Sequence, residues 1–218
     1  MKTIDAEQGS PEWHAARAGR ATASRMGDIM RQTKNGRSAM RATYAGELVA
    51  ERLSGVVDLS TFTSAAMQRG IETEDKARAY YGFIHDVEPQ RVGFVLHPTI
   101  EWSGASPDRL VGNDGLIEIK CPNTATHIRT LLGDDPIDPD YVKQMQWQMA
   151  CTGRQWCDFV SYDDRMPPDM AMHVSRVPRD PLMIALMESN VLIFLEDVQA
   201  MIDALMSKFR GGTLLAAE

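Results

Sequence analysis

Apolar residues recur at helical or at strand spacing along the chain, and the order of these segments predicts the fold class. Helical spacing predicts helices over residues 21–31, 38–53 and 65–81, with Gly82 as the C-terminal cap of the third. Strand-like segments follow at 93–97, 104–111 and 116–121, and residues 112–115 predict a four-residue turn between the last two. A helix over 140–152, strands over 156–162 and 172–177 and a long helix over about 181–209 complete the pattern. This order predicts an α/β or α+β fold with a mixed central β-sheet flanked by helices.

The composition is that of an ordinary globular protein. Of the 218 residues 44% are apolar and 24% charged, and no repeat or linker divides them, so we expect a single domain over 1–218. No apolar run is long enough to cross a bilayer, so no membrane contact is expected, and the first residues do not resemble a signal peptide. Three cysteines without C-x-x-C spacing argue against disulfides and structural zinc. A cytoplasmic location is therefore expected.

The charge is unevenly distributed. The net charge is −7, but residues 17–41 contain seven Lys or Arg residues and one acid, Asp28. That segment therefore carries +6 and the remainder −13. Such a run is typical either of a solvated helix face or of a surface that binds a polyanion, and the sequence alone leaves both interpretations open.

One short stretch, SPDRLVGNDGLIEIKCP at 106–122, concentrates candidate catalytic residues. Residues two apart on a strand share a face, so Glu118 and Lys120 lie together. With a four-residue turn, Asp108 falls opposite position 119, next to Glu118. Two neighbouring carboxylates repel unless a cation lies between them, and Mg²⁺ accepts such oxygen ligands. A lysine beside them would orient or deprotonate a water, or offset developing charge.

The alternative for this stretch is a plain hairpin with a surface aspartate and a Glu–Lys pair. Short acidic patterns of this kind often arise by chance. The apolar neighbours in LIEIKCP nevertheless indicate a central, buried strand, where charges are rare unless they are paired or bound to metal. This context favours a functional site.

Four blocks, in order, resemble the phage lambda-type exonuclease family, the viral recombination nucleases of the PD-(D/E)xK superfamily. The central block is SPD at 106–108 with EIKCP at 118–122. The other blocks are EQGSPEWHAARAGRATAS at 7–24, RGIETEDKA at 69–77 and YVKQMQWQM at 141–149. SYDDRM at 161–166 is also similar to the family. The resemblance covers about residues 7–166, and the rest of the chain shows only a helical pattern.

The resemblance implies a PD-(D/E)xK-type nuclease core and a Mg²⁺-dependent enzyme, with Mn²⁺ as an alternative metal. The implied reaction is processive 5′→3′ degradation of one strand at double-stranded DNA ends, which leaves 3′ single-stranded overhangs for phage-type recombination by strand annealing. A ring-shaped homotrimer, a single-strand annealing partner protein and a phage or prophage origin in a bacterial host are implied as well.

Site residues are implied position by position. The implied metal ligands are Asp108, Glu118 and the carbonyl of Ile119, with Lys120 acting on the water and Glu74 and Gln144 lining the site. Arg17, Ser24 and Ser106 would hold the terminal 5′-phosphate, and Tyr141 would bind substrate. A guanidinium clamps a phosphate well, and the helix predicted to begin near Thr22 would add N–H donors. Trp13 is expected to be a core residue.

Two positions depart from the family pattern, and two other functions stay open. Arg109 follows Asp108 where glycine is common, and Arg69 replaces an aromatic residue. Met67 lies near the family's apolar wedge, although a core methionine is the better interpretation. The alternatives are an endonuclease or repair nuclease on the same core, and a DNA-end-binding module without catalysis. An intact Asp108, Glu118 and Lys120 set argues against the second.

Overall fold

The structure is a computed structural model that describes residues 1–33, 36–57, 65–134 and 136–210, with all their side chains except those of 65–68 and 71. Lys34 and the Met67 side chain, and with it the question of a wedge, lie outside the described residues. The helices are α1 (Pro11–Arg17), α2 (Met26–Met30), α3 (Ala39–Ser54), α4 (Ala65–His85), α5 (Thr124–Leu132), α6 (Pro139–Thr152) and α7 (Pro181–Arg210). The strands are β1 (Lys2–Ile4), β2 (Ala21–Thr22), β3 (Gln32–Thr33), β4 (Gly36–Arg37), β5 (Phe94–Leu96), β6 (Ser103–Ala105), β7 (Arg109–Val111), β8 (Gly115–Lys120), β9 (Trp156–Tyr162) and β10 (Met172–Pro178).

The strands of the described residues form two mixed four-stranded sheets and a short hairpin. The first sheet has the order β1-β5-β6-β2, the second has the order β10-β9-β8-β7, and β3 pairs with β4. In the second sheet β8 lies between antiparallel β7 and parallel β9. The predicted α/β class with a mixed β-sheet flanked by helices is confirmed, and the strands divide between two mixed sheets.

The predicted strand over 104–111 is two strands in different sheets. β6 ends at Ala105 in the first sheet, and β7 begins at Arg109 in the second. Pro107, which has no N–H to donate to a ladder, lies between them. Residues 106–108 therefore cross from one sheet to the other, and they carry Ser106 and Asp108 into the junction.

The turn between β7 and β8 is one residue shorter than predicted. Val111 pairs with Gly115, so the loop is 112–114 and Asp108 falls opposite position 118 rather than 119. Gly115 belongs to β8 because it pairs with Val111 and Trp156, and a Cβ atom there would lie 2.0 Å from the Trp156 ring. This close approach requires glycine. Because glycine is common in turns, the sequence pattern placed residue 115 in the turn instead of the strand.

Two predicted helices also have different bounds. Residues 21–22 form β2, which pairs in parallel with β6, and only Met26–Met30 after a 3₁₀ turn is α-helical. The helix α4 continues through Gly82 to His85, so Gly82 is not its cap. By contrast α3 follows its prediction, with Ser38 accepting a hydrogen bond from the Arg41 N–H and Gly55 ending it in the left-handed region.

Helices cover both faces of β8. Leu116 packs in a cluster with Trp147 and Met149 of α6, which also contains Phe194 of α7. Ile117 and Ile119, on the opposite face, pack with Ala77 and Tyr81 of α4. Glu118 shares the face of Leu116 and therefore points to the α6 side. No helix in the described ranges is both long and apolar enough to cross a membrane.

Candidate active site

Asp108, Glu118 and Lys120 meet at the junction of the two sheets, as the hairpin pattern predicts. Glu118 is only 1% exposed, and the Lys120 Nζ donates to its Oε1 at 2.6 Å. The Ile119 N–H donates to the Asp108 Oδ2 at 2.6 Å. That bond fixes the Asp108 carboxylate beside β8 although Asp108 itself lies just before β7.

Two glutamines of α6 hold the Glu118 carboxylate. Gln144 Nε2 donates to Oε1 at 2.7 Å, and Gln148 Nε2 donates to Oε2 at 2.6 Å. The sequence analysis identified Gln144 but missed Gln148. Its position four residues after Gln144, on the same helix face, was the available signal. Gln146, in the family-like motif, faces elsewhere and bonds the Pro178 carbonyl and the Asp180 N–H.

The carboxylates of this site repel one another. Burial raises the pKa of Asp108 well above its ordinary value, and the charges of Glu118 and Glu74 raise it further. Burial also raises the pKa of Glu74 on α4, an effect that Arg109 opposes. For Lys120 burial lowers the pKa, but the charges of Glu118 and Asp108 outweigh burial and the pKa lies above the usual range. Lys120 is therefore an ammonium group.

These residues fit a hard divalent cation. The carboxylates of Asp108, Glu118 and Glu74 are close enough to repel one another, and Lys120 and, near Glu74, Arg109 offset part of their charge. The site therefore has an excess of negative charge. The described part of the chain has no group of three or more His, Cys, Asp or Glu residues that could enclose a metal. Two carboxylates with a backbone carbonyl nevertheless suit Mg²⁺, which keeps several waters and takes few protein ligands.

A second cluster surrounds Arg17, at the end of α1. Its guanidinium donates to the hydroxyls of Ser106 at 3.5 Å and Ser24 at 3.4 Å. It also lies 4.1 Å from the centre of the Trp13 ring, whose Nε1 donates to Ser106 at 2.9 Å. Trp13 is half-buried and belongs to this cluster, so the expectation of a core residue is wrong.

The predicted helix start behind Ser24 is absent. Residues 23–25 form a 3₁₀ turn, and α2 has only five residues, so a helix dipole contributes little here. Arg17 differs from most of the basic run. Among its described cations, carboxylates of this chain pair with the side chains of Arg25, Arg31, Arg37 and Arg41. Arg17 has no such ion pair within the described residues. The run is therefore largely neutralised, and its described cations without such an ion pair are Arg17, which lies beside Ser106 and Ser24, and Arg20, which bonds the Ala16 carbonyl.

Tyr141, at the start of α6, borders the site on its other side. The Lys120 Nζ lies 4.6 Å from the centre of the Tyr141 ring, within cation–π range. The ring also stacks on Phe159 of β9, with centroids 6.0 Å apart. Tyr141 is 36% exposed and presents an aromatic surface next to Lys120.

The mixed sheets, the crossing segment and the acid–acid–lysine site define a mixed α/β nuclease fold. The sequence profile of the YqaJ-like viral recombinase domain matches residues 12–155. The chain belongs to this family, which confirms the resemblance to lambda-type exonucleases predicted from the motif blocks.

Solved structures agree with this membership. An alkaline exonuclease from Laribacter hongkongensis is 52% identical, with a TM-score of 0.84, and the match covers 91% of this chain and 97% of that one. The same exonuclease in complex with dAMP matches equally well. A phage-related exonuclease from Haemophilus somnus 129PT shares the fold at 15% identity, with a TM-score of 0.64 over 85% of this chain and 96% of that one. No curated protein matches the sequence significantly.

Proposed function

We propose that this protein is a Mg²⁺-dependent exonuclease that degrades the 5′-terminated strand of double-stranded DNA processively and leaves 3′ overhangs for recombination by strand annealing. The observation that carries the proposal is the adjacency of two sites. Ser106 contacts Arg17, and Asp108, two residues later, lies beside Glu118 and Lys120. A pocket for a terminal phosphate would thus be coupled to the point of cleavage.

Each residue would have a distinct part in the reaction. Asp108, Glu118 and the Ile119 carbonyl would hold the metal ion, with Mn²⁺ as an alternative to Mg²⁺. When bound, the ion would activate a water and stabilise charge on a phosphoryl oxygen. Lys120, held as an ammonium group by Glu118, would orient that water and offset charge on the phosphate. Gln144 and Gln148 would fix the Glu118 carboxylate, and Glu74 would line the site.

Arg17, Ser24 and Ser106 would bind the 5′-phosphate. Both hydroxyls accept hydrogen bonds from the Arg17 guanidinium, which lacks a carboxylate partner among the described residues. A terminal phosphate carries more charge than an internal diester, so this pocket would prefer an end. The pocket therefore favours an exonuclease over an endonuclease on the same core, and the acid–acid–lysine site favours an enzyme over an end-binding module.

The names of the relatives support the substrate class. A relative that is 52% identical over most of the chain is named an alkaline exonuclease, and it was solved with dAMP, a deoxynucleoside monophosphate. Transferred to this chain, these names suggest DNA as the polymer and mononucleotides as products.

A ring-shaped homotrimer and a single-strand annealing partner belong to the same proposal. Processive action requires that the enzyme keep hold of DNA between cuts, and a closed ring does this by topology. The long helix α7 exposes large apolar side chains that an assembly would cover. These are Leu182, Leu186, Leu192, Ile193, Met201, Leu205 and Phe209.

The test of this function compares linear and covalently closed DNA. Linear duplex labelled at either the 5′ or the 3′ end, and a relaxed circle of the same length, are incubated with Mg²⁺ or with EDTA. We expect early release of the 5′ label as mononucleotide, late release of the 3′ label, an intact circle and no reaction in EDTA. Cleavage of the circle would favour the endonuclease, and early release of the 3′ label would refute the polarity.

A further inference from the structure

Two arginine side chains lie over the ring of Trp102, in the loop between β5 and β6. The guanidinium carbon of Arg52, on α3, is 4.4 Å from the centre of the ring, and that of Arg20, just before β2, is 5.0 Å from it. The tryptophan is 39% exposed. These three residues, the Trp102 cluster, bring two cations and an aromatic ring together at the surface.

Neither guanidinium of the cluster has a carboxylate partner among the described residues. Glu51, the acid next to Arg52 in the sequence, instead accepts the Gly19 N–H at 2.6 Å. Arg52 Nε donates to the Gly19 carbonyl at 2.8 Å, and Arg20 Nε donates to the Ala16 carbonyl at 3.1 Å. Arg52 Nη2 is buried and has no hydrogen-bond partner. The cluster therefore has N–H donors left for a ligand.

The two guanidinium groups also repel each other. Burial lowers the pKa of both groups, and the charge of Arg20 lowers the pKa of Arg52 further. Glu101 offsets part of this charge, but it forms no ion pair with either arginine. Two like charges that the fold holds together without a paired counterion favour the binding of an anion.

The backbone holds Trp102 in a conformation that bulky residues rarely adopt. Its φ angle is 61°, in the left-handed region. The Ala21 N–H donates to the Trp102 carbonyl at 2.9 Å and so ties the loop to β2. The Arg52 stem packs on Gly19, where a Cβ atom would lie 2.6 Å from Arg52 Cγ. Strain of this kind persists only where the surroundings impose it, and it is most common at functional sites.

The strand β6 connects the Trp102 cluster to the proposed phosphate pocket. Trp102 immediately precedes β6 and Ser106 immediately follows it, while Arg20 immediately precedes β2, which pairs in parallel with β6. Four residues of extended chain span roughly 13 Å. Asp108 lies two residues beyond Ser106. Along this segment the phosphate pocket therefore lies between the Trp102 cluster and the catalytic carboxylates.

We propose that the Trp102 cluster binds a backbone phosphate of the 3′-terminated strand, within the single-stranded overhang that digestion leaves. The inference rests on the proposed 5′→3′ function. In that function the degraded strand ends with its 5′-phosphate at Arg17 and Ser106, so only the complementary strand continues past the pocket. Guanidinium groups stacked on an aromatic ring keep a planar fork of N–H donors for a phosphate. The contact would hold the enzyme at the end that it has just shortened.

The experiment measures equilibrium binding of 5′-phosphorylated duplexes in Ca²⁺. One duplex is blunt, one carries a 3′ overhang of about eight nucleotides, and a third carries the same overhang with uncharged methylphosphonate linkages. We expect the wild-type protein to bind the natural overhang at least about 10-fold more tightly than the blunt end, the lower end of what a charged hydrogen-bond partner contributes. The methylphosphonate overhang should bind as the blunt end does.

Variants of the cluster test which side chains produce this difference. Arg52→Gln and Arg20→Gln should each remove most of the gain from the natural overhang. Each should also lower the slope of log affinity against log salt concentration by about 1 on that substrate. Arg37→Gln is the matched control, because Arg37 belongs to the same basic run but pairs with Asp197, and it should keep the wild-type ratio. Thermal unfolding of each variant checks its folding.

The outcomes separate this inference from the function on which it rests. Equal wild-type affinity for the blunt end and the natural overhang, or an unchanged ratio in both Arg52→Gln and Arg20→Gln, would overturn the overhang site and leave the exonuclease intact. Equally tight binding of the methylphosphonate overhang would show that bases are held instead of phosphates, and would overturn it as well. Failure to degrade the 5′-terminated strand of the blunt duplex in Mg²⁺ would overturn the proposed function and this inference with it.

Discussion

Two buried glutamines of α6, two positions apart, have different partners and provide a matched pair of variants. Gln148 donates to Glu118, and Gln146 bonds the backbone near the start of α7. We predict that Gln148→Leu raises the Mg²⁺ concentration for half-maximal activity about 10–100-fold, as is usual when a partner of a metal ligand is lost. Gln146→Leu should lower the unfolding temperature without changing the metal dependence. Equal Mg²⁺ titration curves for the two variants would show that Gln148 only supports packing.

The phosphate pocket is tested by Arg17→Ala on ends that differ in one group. We predict a loss of about 1.5–3 kcal/mol in transition-state stabilisation on 5′-phosphorylated duplex, the usual contribution of a charged hydrogen-bond partner, and little change on 5′-hydroxyl duplex. Arg20→Ala is the control, since Arg20 belongs to the same basic run but lies over Trp102. If Arg17→Ala slowed both substrates by one factor, Arg17 would be a general DNA contact.

At the level of residues, the sequence predicted neighbours within an element better than neighbours across elements. Strand alternation is sufficient to place Glu118 and Lys120 together. The roles of Trp13 and Gln8 depend on contacts with a distant segment. Trp13 bonds Ser106, and Gln8 donates to the Pro107 carbonyl at 2.9 Å. Nothing in the spacing of residues 7–24 predicts which segment they meet.

At the level of elements, Asp163 follows β9 directly and connects the end of this strand to α4 and α5. It accepts hydrogen bonds from Arg69 of α4, Thr124 of α5 and Arg165. Burial alone would raise its pKa, but the bonds from Arg165 and Thr124 outweigh burial and hold the pKa below the ordinary value. Stability from this carboxylate is therefore complete above about pH 4 and is lost as the pH falls further.

We predict that Asp163→Asn lowers the free energy of unfolding by about 1.5–3 kcal/mol at pH 7, because two guanidinium groups lose a charged acceptor. Urea unfolding at pH 7, 4 and 3 should show the difference from wild type shrinking as the pH falls below 4. Asp164→Asn is the control: Asp164 is partly exposed and pairs with Lys76 and with Arg69, which keeps Asp163 as a partner, so its loss should cost under about 1 kcal/mol. A constant difference for Asp163→Asn at all three pH values would contradict the role of its charge.

Most elements were predictable because their hydrophobic period is unambiguous. The strand Trp156–Tyr162 and the helices α3 and α7 lie where the pattern places them. The division of 104–111 between two sheets was not predictable, because both halves have strand spacing and only tertiary pairing separates them. The same holds for residues 21–22, where pairing with β6 overrides the local helical pattern.

At the level of the whole molecule, the chain is acidic and its basic run is largely paired internally. DNA binding by one copy would therefore depend on a few groups at the site, and a ring would supply retention. We predict that sedimentation gives about three times the 24.3-kDa chain mass. A replacement of Leu186 by Glu on the exposed face of α7 should weaken the assembly if that face is covered. A stable monomer at assay concentration would contradict the trimer and the topological account of processivity.

The central claim is that Asp108 and Glu118 hold the divalent ion at which the DNA end is hydrolysed. The most direct measurement is the single-turnover rate of Glu118→Gln in Mg²⁺, with thermal unfolding and DNA binding in Ca²⁺ measured on the same sample. Glutamine keeps the shape of Glu118 and removes its charge, so we predict a fall of at least ~100-fold in rate with DNA binding retained. A rate near that of wild type would remove Glu118 from the metal site and contradict the account.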